Sequence, residues 1–342
     1  MVERRRSVYV GSGNWGGNTG KIQVFSLEVE SAVLEPLQVL EAGGVAAFMA
    51  RSPDGRRLYV ADESEGTLAS YAVAPSTGRL ELLNQVRCAG HPVYVALDAR
   101  GEALVTCYFE EAKTEVFGIE ADGTLGACVC SVESGRESHC TAFDPSQRFL
   151  FVPTRGDNWV AQYRYEPGRK WLAANEPPVV REPDGAGPRH LTFHPNGRWA
   201  YLINELALTL TAYAFDAEQG TLRALFRDIA VAPPELVGGS AADIHVHPSG
   251  KFLFVSNRHG DRSSIASFVI DEQSGRVELV GHEPTRGKTP RNFALDPEGR
   301  LLIAANQESN DIAVFRVDPR FGSLTFVRTL AVAPGPFFVG IY

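Results

Sequence analysis

Three features of the 342-residue chain predict an all-β fold, a seven-bladed β-propeller of four-stranded antiparallel blades forming a single domain over residues 1–342. A turn motif recurs six times, a strand signature recurs seven times, and the two termini carry complementary halves of one more unit. The ring is expected to close by pairing the C-terminal strand with the N-terminal blade.

The turn motif reads Ser52-Pro53-Asp54-Gly55, Asp98-Ala99-Arg100-Gly101, Asp144-Pro145-Ser146-Gln147, His194-Pro195-Asn196-Gly197, His247-Pro248-Ser249-Gly250 and Asp296-Pro297-Glu298-Gly299. Its second residue falls at 53, 99, 145, 195, 248 and 297, in steps of 46, 46, 50, 53 and 49. Such a period, with several short strands per unit, describes radial repetition in which each unit buries its faces against its neighbours. A first strand precedes the turn, as at 191–194, and a second follows it, as at 57–60. A third alternates apolar residues, as at 67–73, and a fourth follows a Gly-containing turn, as at 78–83. Period-2 alternation between Gly, Pro and Asp clusters is the strand and hairpin signal.

The third-strand signature appears at 22–27, 68–73, 114–117, 160–163, 210–213, 265–268 and 312–315, one more time than the turn motif. The ends account for the difference. Residues 7–11 match a second strand with no first strand before it, and 335–342 match a first strand with no second after it. Joining them completes the seventh blade and removes exposed sheet edges.

The repeat also places residues of different units at equivalent points. Six positions before the second turn residue lie Ala47, Val93, His139, Arg189, Ala242 and Arg291, with Phe337 from the C-terminal strand. Ten positions after it lie Glu63, Phe109, Arg155, Glu205, Arg258 and Gln307, with Gly13 from the N-terminal strand; Asn257 is one position earlier. Both sets are expected on one face of the propeller. Scaffold positions stay apolar or turn-forming from unit to unit, whereas these hold four arginines, two glutamates and a histidine. His190, Asp243 and His245 lie close by in sequence. Charge collected where packing needs none marks a binding site on a rigid scaffold. Guanidinium forks suit carboxylate or phosphate, so the expected ligand is a small anion. His139 is the candidate acid or base, because imidazole titrates near neutrality. Glu63 shares the template position of Glu205 but is expected to lie away from the charge cluster.

Composition narrows the function. A net charge of −8 disfavours a general nucleic-acid binder. No run is long enough to span a bilayer, and no apolar stretch follows the basic N-terminus, so a cytoplasmic location is expected. The five cysteines match no common zinc spacing and read as reduced thiols. His194 and His247 stand where other units have Asp, as turn hydrogen-bonders. His245 with Asp243 falls short of the three ligands a metal usually needs, so neither metal nor cofactor is expected. Gly11-Ser12-Gly13-Asn14-Trp15-Gly16 has the spacing of a dinucleotide loop, but a strand pattern follows where that loop needs a helix. No G-x-S-x-G elbow is present, which favours attack by activated water over an acyl-enzyme.

The segment 185–205, with Pro188-Arg189-His190-Leu191 and Ile203-Asn204-Glu205, resembles the signature of the seven-bladed lactonase family, as do 242–248 and 289–293. The similarity covers essentially the whole chain. That family includes propeller-type 6-phosphogluconolactonases and carboxymuconate lactonizing enzymes. The resemblance implies an active site of His139, Arg189, Glu205 and Arg258. The stretch Thr154-Arg155-Gly156-Asp157 departs from the common bacterial pattern of the family. Arg155, His190, Asp243, His245, Asn257 and Arg291 are the expected substrate contacts. The expected activity is hydrolysis of an anionic sugar lactone such as 6-phosphogluconolactone. A muconate cycloisomerase and a non-catalytic metabolite-binding propeller are the alternatives. The partner is the small lactone alone, and the chain is expected to be a monomer or weak homodimer.

Overall fold

A computed structural model describes residues 5–15, 20–233, 236 and 238–342; Gly16 of the glycine-rich motif lies outside them. Among the described residues, seven four-stranded antiparallel sheets form the blades. Blade I runs from the inside outward as Pro336–Ile341, Arg5–Ser12, Gly20–Glu28 and Val33–Gly43. The inner strands of blades II to VII are Ala46–Arg51, Pro92–Leu97, Ala142–Phe143, Pro188–Phe193, Ser240–Val246 and Pro290–Leu295. Val8 pairs with Ile341 and Val10 with Val339, so the C-terminal strand does close the ring.

An apolar cluster fills each of the seven junctions between blades. Tyr201, Ile203 and Leu210 of blade V meet Ile244, Val255 and Phe268 of blade VI. Val8 and Phe25 of blade I meet Ile303 and Val314 of blade VII. Second strands therefore face a neighbour on both sides. Ala103–Tyr108, Trp199–Asn204 and Leu301–Asn306 are buried along their whole length.

The turn ends are stapled from blade to blade. His194 Nε2 lies 2.8 Å from the Gly250 carbonyl, and His247 Nε2 lies 2.9 Å from that of Gly299. In the same turns Asn196 N–H donates to His194 Nδ1 and Ser249 N–H to His247 Nδ1, both at 3.1 Å. Gly299 has φ +72°, and a Cβ there would lie 2.0 Å from the His247 ring, so only glycine fits.

Candidate active site

The inner strands deliver side chains into the central channel by a repeated irregularity. In blade II the ladder pairs Ala46 with Asp62 and Phe48 with Ala61, which leaves Ala47 unpaired. The same slip leaves out Val93, Arg189, Arg291 and, in blade I, Phe337. In blade VI it omits both Ala242 and Asp243. Blade IV has a shortened inner strand, and His139 sits just ahead of it, its N–H donating to the Pro153 carbonyl at 3.1 Å. A bulge leaves one residue outside the ladder and re-aims its side chain. The positions counted back from the turn motif are thus the bulge positions in six blades, with His139 just ahead of its strand in the other.

Four arginines gather at this mouth. Arg155 Nη1 donates to Glu205 Oε1 at 3.0 Å. Arg258 Nη2 lies 3.0 Å from the same oxygen, and Arg189 Nε 3.2 Å from Oε2. These last two contacts are ion pairs without hydrogen-bond alignment. Nε of Arg189 and of Arg258 have no hydrogen-bond acceptor among the described residues. Glu137 holds Arg155 from outside at 2.7 Å. Burial alone would raise the Glu205 carboxyl, but Arg189, Arg258 and Arg155 together hold it below the ordinary glutamate range. Arg291 packs on the Phe337 and Trp15 rings, 4.5 and 5.3 Å from their centroids.

His139 faces the same space. Burial, then Arg189, His190 and Arg291, push its imidazole well below the ordinary histidine value, so it is neutral. Its Nδ1 is buried without a hydrogen-bond partner among the described residues. The floor between Glu63, His139, Arg189, His190 and Arg291 encloses about 10 Å³. That is the least space that accommodates one water molecule, so a lactone must sit above it, toward the open mouth.

Glu63 does not lie apart from the cluster as its sequence position suggested. It lines this floor beside His139 and Arg189. The ring is narrow enough that a position in blade II faces those of blades IV, V and VII. Burial raises its carboxyl, against the pull of Arg291.

Asp243 is an internal hub, not a group open to substrate. Its oxygens accept from His190 Nδ1 at 2.8 Å, His245 Nε2 at 3.0 Å, Asn292 Nδ2 at 2.6 Å, and the N–H groups of Ile244 and Phe293. His190 Nε2 in turn accepts from Arg189 Nη1 at 3.2 Å. Burial and then Arg189 bring His190 down to about 4, so it too is neutral. His245 leaves the cluster: it lines a separate 370 Å³ cavity with Phe48, Tyr94, Phe293 and Phe338 on the turn side of the channel. Burial pulls its imidazole down, but Asp243 outweighs this and raises it above the ordinary value. Asn257 is also elsewhere. It is buried and donates to the Val231 carbonyl at 2.6 Å, tying the strand end to the segment that leaves the outer strand of blade V. Sequence reasoning missed Asn292, whose Oδ1 accepts from Val339 N–H at 2.8 Å and so links the closing strand to Asp243. An Asn beside an expected ring arginine was the available signal.

Ring, bulges and channel mouth define a closed seven-bladed propeller with an arginine-rich central cavity. The family described as "Lactonase, 7-bladed beta-propeller" matches residues 7–341. The chain belongs to that family, and with it to the enzymes that hydrolyse lactones. It is 31% identical over 320 residues to a 6-phosphogluconolactonase of Formosa agariphila, covering 89% of this chain and 90% of the relative. It is 32% identical over 321 residues to a 6-phosphogluconolactonase of Klebsiella pneumoniae, covering 93% and 95%. The structure of a periplasmic gluconolactonase of Pseudomonas aeruginosa superimposes with a TM-score of 0.91 at 31% identity, over 99% of each chain.

Proposed function

We propose that the protein hydrolyses a small anionic sugar lactone of the 6-phosphogluconolactone type, by attack of water activated at His139 within an arginine clamp. The observation that carries this reading is the convergence of Arg155, Arg189, Arg258 and Arg291 on one mouth beside a neutral imidazole with a free Nδ1. Glu63, Glu137 and Glu205 leave at least one positive charge in excess. The clamp holds the substrate's anionic group and stabilises the oxyanion that forms as water adds to the carbonyl. Glu205, fixed by three arginines as a carboxylate, is the organiser of the clamp and not the base.

The cations that keep His139 neutral also oppose its taking a proton. A bound anion offsets them and restores basicity where it is used. The phosphate or carboxylate of the substrate thus serves catalysis as well as binding, and a neutral lactone lacks that effect. Five free cysteines, with Cys107, Cys130 and Cys140 buried, fit the reducing cytoplasm as the proposed location.

The test is a panel of 6-phosphogluconolactone, gluconolactone and a carboxymuconolactone, followed by proton release and by product analysis. The phosphorylated lactone should give the highest kcat/KM. Hydrolysis no faster than buffer on every lactone would defeat the reading, and ring opening of the carboxymuconolactone without water uptake would favour the cycloisomerase.

A further inference from the structure

Hydrolysis of a lactone needs two proton transfers. Water must lose a proton as it bonds to the carbonyl carbon, and the ring oxygen must gain one as its bond to that carbon breaks. Resting on the hydrolase reading, His139 meets the first need, and a second group is required for the second. Glu205 cannot supply a proton, because three arginines hold it ionised. Asp243 cannot either, since five donors occupy its oxygens.

We infer that Glu63 is the general acid, delivering its proton to the ring oxygen of the lactone as the tetrahedral intermediate collapses. Three observations support it. Glu63 lines the water-sized floor together with His139, Arg189 and Arg291. Its Oε2 is buried and has no hydrogen-bond partner among the described residues. Its carboxyl is the one in this mouth that its surroundings push toward the protonated form, burial outweighing Arg291 and the hydrogen bond from the Trp15 side chain. A buried, unpartnered carboxyl oxygen is costly unless it has a task or carries a proton.

The step balances. Water adds its oxygen to the carbonyl carbon and gives a proton to His139. The carbon–ring-oxygen bond then breaks, its electron pair stays on the ring oxygen, and that oxygen takes the Glu63 proton. The products are the hydroxy acid, a Glu63 carboxylate and a His139 imidazolium. Passage of the His139 proton back to Glu63 resets both groups. Glu63 and His139 come from blades II and IV, so the two transfers approach the substrate from different sides of the channel.

A competing role is charge balance, with Glu63 merely offsetting Arg291. The two roles separate on kinetics with 6-phosphogluconolactone. If Glu63 only offsets charge, Glu63→Gln leaves a more positive mouth, so KM falls and kcat stays within about threefold of wild type. If Glu63 is the acid, Glu63→Gln lowers kcat by about 10²–10⁴-fold while KM changes little. The pH profile adds a readout that a structural role would not move. The groups facing Glu63 are Arg291 from blade VII, Arg189 from blade V, His91 before the inner strand of blade III, Trp15 from blade I and His139, with Asp62 next to it in sequence. Asp62 is the other carboxyl here that burial raises, so parallel Asp62→Asn and His91→Gln variants remove the neighbouring titratable side chains from the comparison. The wild type should show a falling limb of kcat toward higher pH, present in Asp62→Asn and His91→Gln and absent from Glu63→Gln. A Glu63→Gln enzyme with wild-type kcat, or one with low kcat and an unchanged limb, would overturn the assignment. If Glu63→Gln does not melt like the wild type, Glu63→Asp takes its place: a withdrawn acid lowers kcat and shifts the limb, and an unshifted limb overturns the assignment. An inactive wild type removes the hydrolase reading and this one with it, whereas an active wild type with an indifferent Glu63 removes this one alone.

Discussion

The two ends of the same inner strands obey different rules. At the turn end, Asp98, Asp144 and Asp296 accept backbone N–H groups of their own turns, and His194 and His247 do this while also reaching the next blade. Side chains vary there within a narrow chemistry because each turn poses the same hydrogen-bond problem. At the bulge end, the ring holds Phe337, Ala47, Val93, His139, Arg189 and Arg291, with no chemistry in common. The difference separates what folding requires six times from what function requires once.

Ring closure depends on both ends, and breaking it should have the largest effect. Removal of 335–342 exposes the partners of Phe337, Phe338, Val339 and Ile341, all buried. At about 1.5–3 kcal/mol each, the loss is about 6–12 kcal/mol, comparable with the whole stability of a typical domain. The truncated chain should show no cooperative melt, and a melt like that of the full chain would refute closure. The bulge end comes next. Arg189→Lys keeps the charge but loses the fork, and should lower turnover about 10²–10³-fold with little change in melting temperature. His139→Ala, which removes the base, and Glu205→Gln, which removes the carboxylate that holds three arginines in place, should each cost at least about tenfold.

Acid should weaken the fold through the same end. His139 and His190 are held below the ordinary histidine value, so the unfolded chain binds protons there before the folded one does. Their contribution is complete above about pH 6.5 and is lost as pH falls toward the folded values. Denaturant midpoints should drop between pH 7 and 4, with His190 contributing up to roughly 3 kcal/mol, and a His190→Asn variant should drop less. The smallest effect belongs to the turn end. His247→Ala leaves Ser249 N–H and the Gly299 carbonyl without their partner, costing about 1–3 kcal/mol in an unfolding titration. Its turnover should match the wild type; a loss of activity there would erase the contrast between the ends.

Much of this was legible because a repeat converts sequence distance into position in space. Arg189, Arg258 and Glu205 are far apart in the chain, yet the count from the turn motif put them on one face, where the structure joins them. The count fixes height along the channel but not the distance across it, which is why Glu63 looked remote and is not. Mere nearness in sequence to a counted position, by contrast, does not fix that height. His245 is two residues from Asp243 but falls below the hub, and Asn257 turns from the channel to the segment arriving from blade V. The bulges themselves left no mark, since a slipped ladder needs no particular residue.

That last point has a consequence for how such a ring can change. A residue that contributes no rung to the sheet can be exchanged without disturbing its neighbours' rungs. The channel mouth therefore behaves as a word of seven letters, at present Phe, Ala, Val, His, Arg, Ala and Arg, whose spelling leaves the rungs of the sheets in place even where letters touch one another, as Ala47 and Phe337 do. New substrates can be reached by respelling a letter together with the neighbours it touches, with the ladder of every blade kept.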